Sequence, residues 1–87
     1  MPVEHVSFEH PMRIGIRDTT LRVRMAIEYN VSGNTVTKCI GHYAADVYPE
    51  DLSYVQIFRG ELAPIIERKV NQKIDDFFAA RGFVYLH

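Results

Sequence analysis

The sequence predicts an α+β fold: an antiparallel β-meander of three to four strands packed against two C-terminal helices. Apolar residues recur with a period close to two up to Tyr48-Pro49 and with a period close to 3.6 beyond it. Between two of the alternating runs, "SGN" at 32–34 supplies the glycine and asparagine of a tight hairpin. The 87 residues suit one domain. Its parts are the meander over 3–47, a helical layer over 49–81 and a C-terminal strand or arm over 83–87.

The clearest strand is "TLRVRMAIEYNV", residues 20–31. Leu21, Val23, Met25, Ile27, Tyr29 and Val31 alternate there with Arg22, Arg24, Ala26 and Glu28, which is the pattern of a strand with one face in a core. Met12, Ile14 and Ile16 show the same period upstream. The intervening "RDTT" offers Asp18 and Thr19 side chains that can hydrogen-bond their own backbone in a turn. That turn would place Arg13 opposite Arg24, Arg17 opposite Thr20 and Gly15 opposite Arg22. The return strand covers 35–47, and Val3 to Phe8 is a candidate fourth strand.

From Pro49 the pattern is helical. Proline fits a first helical turn, and Glu50 and Asp51 suit the positive end of the helix dipole. "PEDLSYVQIFRG" sets Leu52, Val55 and Phe58 on one side and ends on Gly60. In "ELAPIIERKVNQKIDDFFAARG", Leu62, Ile66, Val70 and Ile74 recur every four residues, and Arg81-Gly82 forms the stop. Pro64 would collide with the carbonyl of Gly60, so the sequence predicts a break there: two helices, or one sharply kinked. The expected core is Ile14, Ile16, Leu21, Val23, Met25, Ile27, Tyr29, Ile40, Leu52, Val55, Phe58, Leu62, Ile66, Val70, Ile74 and Phe77. "FVYLH" is short enough for an edge strand or an arm onto a partner.

Composition narrows the function classes. No apolar run approaches the roughly 20 residues that span a bilayer. The start, "MPVEHVSFEHPM", lacks the basic and apolar regions of a signal peptide. With a single cysteine there is no internal disulfide framework, so the expected compartment is the cytoplasm. Net charge is −1, which leaves any electrostatic partner to a local patch. A chain of this size buries only roughly 60–65% of its unfolded surface. Self-association as a homodimer is the expected way to bury more.

Four constellations carry possible chemistry. "CIGHYAAD", residues 39–46, brings Cys39, His42 and Asp46 together. Residues 39 and 42 nevertheless point to opposite faces of a strand unless a bulge at Gly41 resets the register. A nucleophile and its base would therefore not meet. His5, His10, His42 and Cys39 form a pool of metal ligands without a second paired motif, so no metal and no cofactor is expected. Arg13, Arg17, Arg22 and Arg24 fall on the face away from Ile14, Ile16, Leu21 and Val23. There they offer a platform for phosphate, nucleotide or nucleic acid, though without the aromatic residues that stack bases. Finally, ten aromatic residues exceed what so small a core needs. Tyr48, Tyr54 and Tyr85 lie at element ends, where a ring with a polar tip suits an interface. Glycine-rich phosphate loops and hydrolase signatures are lacking. The reading is a non-catalytic protein–protein interaction module (a subunit, adaptor or inhibitor) that self-associates, with phosphate or nucleic-acid binding through the arginine face as the alternative.

Overall fold

A computed structural model describes residues 1–86. Three antiparallel strands, β1 (Val3–Ile14), β2 (Arg17–Ser32) and β3 (Thr35–Asp46), form one sheet in the order β1-β2-β3. A 3-10 turn at Pro49–Asp51, a short helix α1 (Leu52–Ile57) and a long helix α2 (Arg59–Ala80) follow. The α+β meander with two helices is therefore as the sequence predicts, with three strands. The two segments read separately as Val3–Phe8 and Met12–Ile16 are one strand. Pro11 sits inside it and is tolerated because β1 is an edge.

The first hairpin turns at Gly15-Ile16, not at Asp18-Thr19. Gly15 has φ +62° and Ile16 an ordinary φ, which is the two-residue loop with glycine first whose twist suits a hairpin. Backbone freedom at Gly15 thus outweighs the weaker turn chemistry of Asp18 and Thr19. The pairing follows: Arg13 lies opposite Asp18, Ile14 opposite Arg17, Glu9 opposite Arg22 and Ser7 opposite Arg24. This replaces the pairing of Arg13 with Arg24, Arg17 with Thr20 and Gly15 with Arg22. Ile16, expected in the core, is 89% exposed at the tip of the loop.

β2 pairs with β3 from Arg22–Asp46 to Asn30–Lys38, then from Val31–Val36 to Ser32–Thr35. Thr37 is the extra residue of a bulge, and its hydroxyl donates to the Asn30 carbonyl at 3.3 Å. Gly41 hosts no bulge.

α2 lies over the middle strand. Leu21, Val23, Met25, Ile27 and Tyr29 from β2 pack with Val36, Val70, Ile74, Phe77 and Phe78. Phe78, Ile27 and Val23 are the most completely buried, and full burial of side chains this size stabilises by roughly 1.5–3 kcal/mol each. Tyr29 meets Phe77 and Phe78 edge-on, with ring centroids 5.8 and 5.3 Å away. On the far side of the helix Lys73 extends over the Phe8 ring at 5.5 Å. The expected core is otherwise narrower at its margins. Leu52 is exposed, Val55, Phe58 and Ile66 are half-buried, and Ile40 lies on the sheet face away from the helices.

The helical break falls at Phe58, and Pro64 lies inside α2. The Phe58 carbonyl accepts from the amides of both Glu61 and Leu62, so the second helix nucleates before the proline is reached. At the other end Arg81 caps the helix and Gly82 takes φ +71°. The Gly82 amide donates to Ala79 and the Phe83 amide to Phe78, closing the helix as the sequence predicts. The tail then reaches the start of β3 through a single parallel bridge, Thr35–Val84, rather than a strand. His87, the last residue of the predicted arm, lies outside the described residues. No helix among the described residues is long and apolar enough to cross a membrane.

Candidate functional site

Strand parity assigns each candidate residue to a face. Helix-facing positions are the even residues of β1, the odd residues of β2 and, beyond the bulge, the odd residues of β3. The opposite face is bare of helix. It carries Arg13, Arg22 and Arg24, as the sequence predicts. Arg17 does not join them. Because the hairpin turns before it rather than after it, Arg17 belongs to β2 and takes the helix-facing parity opposite Ile14.

Two of the three open-face arginines form ion pairs, and the third has an acid opposite it in the sheet. Arg22 lies 3.4 Å from Glu9, Arg24 2.9 Å from Asp46, and Arg13 is paired across the strands with Asp18. Among the described residues no Phe or Tyr shares that face. The surface is a charge-balanced lattice of exposed pairs, each worth only about 0–1 kcal/mol. It lacks both the excess positive charge and the stacking rings of a nucleic-acid platform.

Arg17 instead helps to build a buried lock. Asp51, which is 5% exposed, accepts from Arg17 Nε at 2.5 Å and from the Thr19 hydroxyl at 2.7 Å. The Thr19 hydrogen bond first, and the Arg17 guanidinium after it, hold the Asp51 carboxyl below the usual carboxylate range, against a desolvation that pushes the other way. The carboxylate thereby ties the 3-10 turn to the first hairpin. Beside it the Tyr54 hydroxyl packs so close to Gly15 that a Cβ there would lie 2.8 Å away. Of the three tyrosines singled out in the sequence, Tyr54 is thus half-buried against its own chain. Tyr85 is likewise half-buried, its ring 5.0 Å from Phe78, and only Tyr48 is freely exposed.

The cysteine and histidines do not converge. Cys39 and His10 face the helices, while His5 and His42 are on the open face. Burial pushes the Cys39 thiol up, with a hydrogen bond to Tyr85 opposing it only in part, so the thiolate form is disfavoured. Cys39 and His42 project from opposite faces, and they cannot act as nucleophile and base on one substrate. Among the described residues no group of three or more His, Cys, Asp or Glu side chains is placed to hold a metal ion.

The feature that sequence reasoning missed is the flank formed by β3 and α2. On β1 the helix-facing residues are at least half-buried and on β2 nearly all are buried, but on β3 Gly41, Tyr43 and Ala45 stay exposed. Tyr43 is 42% exposed although it points to the helical side. A concavity of 570 Å³ opens there, lined by Leu21, Tyr43, Val47, Leu52, Leu62 and Ile66 among others. A second, of 300 Å³, continues past Tyr43 to Gly41, Ile74 and Tyr85. The outer edge of β3, which among the described residues pairs with the tail only at its start, runs alongside both. The signal in the sequence was the thinness of this face: around Tyr43, the helix-facing residues Cys39, Gly41 and Ala45 are all small.

No protein-family model, curated protein or solved structure matches the chain.

Proposed function

We propose that this chain is a non-catalytic protein-binding module and that the β3–α2 flank is its binding surface. The observation that carries the reading is Tyr43, an aromatic ring on the helix-facing side of an edge strand that the helices leave 42% exposed. Edge strands with open hydrogen-bonding groups beside an apolar groove receive partners by strand addition, in which backbone bonds supply affinity and the groove supplies selectivity. Tyrosine suits such a position because its ring buries apolar area while its hydroxyl stays solvated. The acid-matched arginines and the ring-free open face count against a phosphate or nucleic-acid ligand. A single cysteine with a disfavoured thiolate suits the reducing cytoplasm.

The test is a bait comparison between the wild-type chain and Tyr43→Asp, with folding of both checked by circular dichroism. We expect wild type to retain a protein in fixed stoichiometry, either its own untagged copy or another chain. That partner, remade pure, should bind wild type and lose at least tenfold in affinity for Tyr43→Asp. Equal affinity for the two baits would overturn the reading, as would retention of nucleic acid in place of protein.

A further inference from the structure

We infer that the partner of this flank is a second copy of the same chain, joined antiparallel through β3 with His42 on the twofold axis, so that two three-stranded sheets continue as one. This rests on the binding-module reading and adds the partner and the register.

The choice of edge follows from what each edge carries. β1 holds Pro11, which has no amide hydrogen to give, and along its length Glu4, His5, Glu9 and His10. Those are the devices that keep an edge strand from pairing. Between Lys38 and Asp46, β3 has neither proline nor charge except at the two ends, with His42 at the middle.

The free length is set by two features. The tail occupies the outer side of β3 at its start, where Val36 donates to the Val84 carbonyl and Val84 to that of Asn34. The bulge at Thr37 then interrupts the register. Among the described residues nothing pairs with the outer side of the regular stretch from Lys38 to Asp46, whose central residue is His42.

Two identical antiparallel strands related by a twofold axis must oppose residues of the same face, so the axis passes through a residue. Centring it on His42 uses the whole free stretch and produces two self-complementary matches. Lys38, which has no ion pair among the described residues, falls opposite Asp46 of the second copy, twice over by symmetry. On the helical side Tyr43 falls opposite Gly41 of the second copy, which has no side chain of its own and lines the same concavity as Tyr43 and Ile74. An aromatic ring across from a strand glycine covers the backbone that the glycine leaves bare. Cys39 meets Ala45 and Ile40 meets Ala44, small residues against small or apolar ones. Both α2 helices then lie on the same side of the joined sheet and enclose the apolar groove between them.

Charge reversal tests partner and register together. In native mass spectrometry and analytical ultracentrifugation, wild type should show twice the 10.1 kDa chain mass. Lys38→Glu sets acid against acid and Asp46→Lys sets base against base, so each alone should weaken the dimer at least tenfold. Mixed in equal amounts they should restore it, as a dimer with one chain of each kind. In a Cys39→Ser background, His42→Cys should form a disulfide-linked dimer on mild oxidation. Opposed residues in a sheet lie about 4.5–5.5 Å apart, within disulfide reach. Ile40→Cys should not, since its two copies would be displaced along the strands by roughly 13 Å. If Asp46→Lys fails to fold for want of its bridge to Arg24, Lys38→Glu and the two cysteine variants decide the matter. A wild-type chain that stays monomeric at about 1 mM would overturn the dimer, and the bait comparison would still decide the binding-module reading. A dimer indifferent to the charge variants, or cross-linked by Ile40→Cys in place of His42→Cys, would overturn the register.

Discussion

Asp51 shows how one side chain can hold two elements whose backbones barely meet. Its carboxylate accepts from Thr19 and Arg17 on β2 while its backbone closes the 3-10 turn through the hydrogen bond that its amide donates to the Tyr48 carbonyl. Carboxylates held in this way make stability depend on acid. The folded carboxyl titrates below the unfolded value of about 3.9, so its stabilisation is complete above about pH 4 and lost as pH falls through the folded value. Asp51→Asn keeps an acceptor for Thr19 and removes the charge. We expect the melting temperature of wild type to exceed that of Asp51→Asn at neutral pH, and the gap to close toward pH 2. A gap unchanged across that range would show that the hydrogen bonds alone, without the charge, account for the lock. None of this was legible beforehand. In sequence Asp51 resembles an ordinary first-turn acid, and Arg17 joins its neighbours on the open face only if the hairpin turns where Asp18 and Thr19 suggest.

At the scale of elements, the legible parts were those with a repeating signal or a glycine whose backbone must turn. β2 stood out through six alternating apolar residues, and the end of α2 through Arg81-Gly82. Boundaries decided by competition between two weak signals came out differently. Gly15 won the first turn, and the Phe58 carbonyl started α2 ahead of the break expected from Pro64. The fit of α2 on β3 was invisible, because it depends on one absent methyl group. A Cβ on Gly41 would lie 3.0 Å from Ile74 Cδ1. Alanine should favour the strand by roughly 0.5–1 kcal/mol over glycine, while crowding a packed contact costs about 1–3 kcal/mol. Gly41→Ala should therefore destabilise by about 1 kcal/mol in the wild type. Ile74→Val deletes the Cδ1 atom, and in that background Gly41→Ala should turn mildly stabilising. Denaturant unfolding of the four proteins in this cycle reads the sign directly, and an equal effect in both backgrounds would place the helix elsewhere over β3.

The whole molecule is long and thin, 48 × 19 × 18 Å, because one helix covers a sheet of long strands along its middle. Its radius of gyration is 15.0 Å, against about 12 Å for a compact chain of this length. It exposes 5924 Å², about 600 Å² more than the roughly 5,300 Å² of a compact monomer of its mass. That excess approaches the roughly 800 Å² each partner contributes to a standard protein interface. The sequence pointed to this only in outline, through the marginal core of a small domain. Which surface stays bare depends on the lateral placement of α2 over β2, and periodicity does not encode that. The shape also separates the ways of pairing. Copies joined through β3 lie side by side, so the mass doubles while the longest dimension should stay within about 10 Å of the 48 Å of one chain. Copies joined at the hairpin tips, where Ile16 is exposed, would nearly double that length. Small-angle scattering across a dilution series distinguishes the two. A dimer that broadens without lengthening supports pairing through β3, and one that lengthens would move the interface to the tip of the first hairpin.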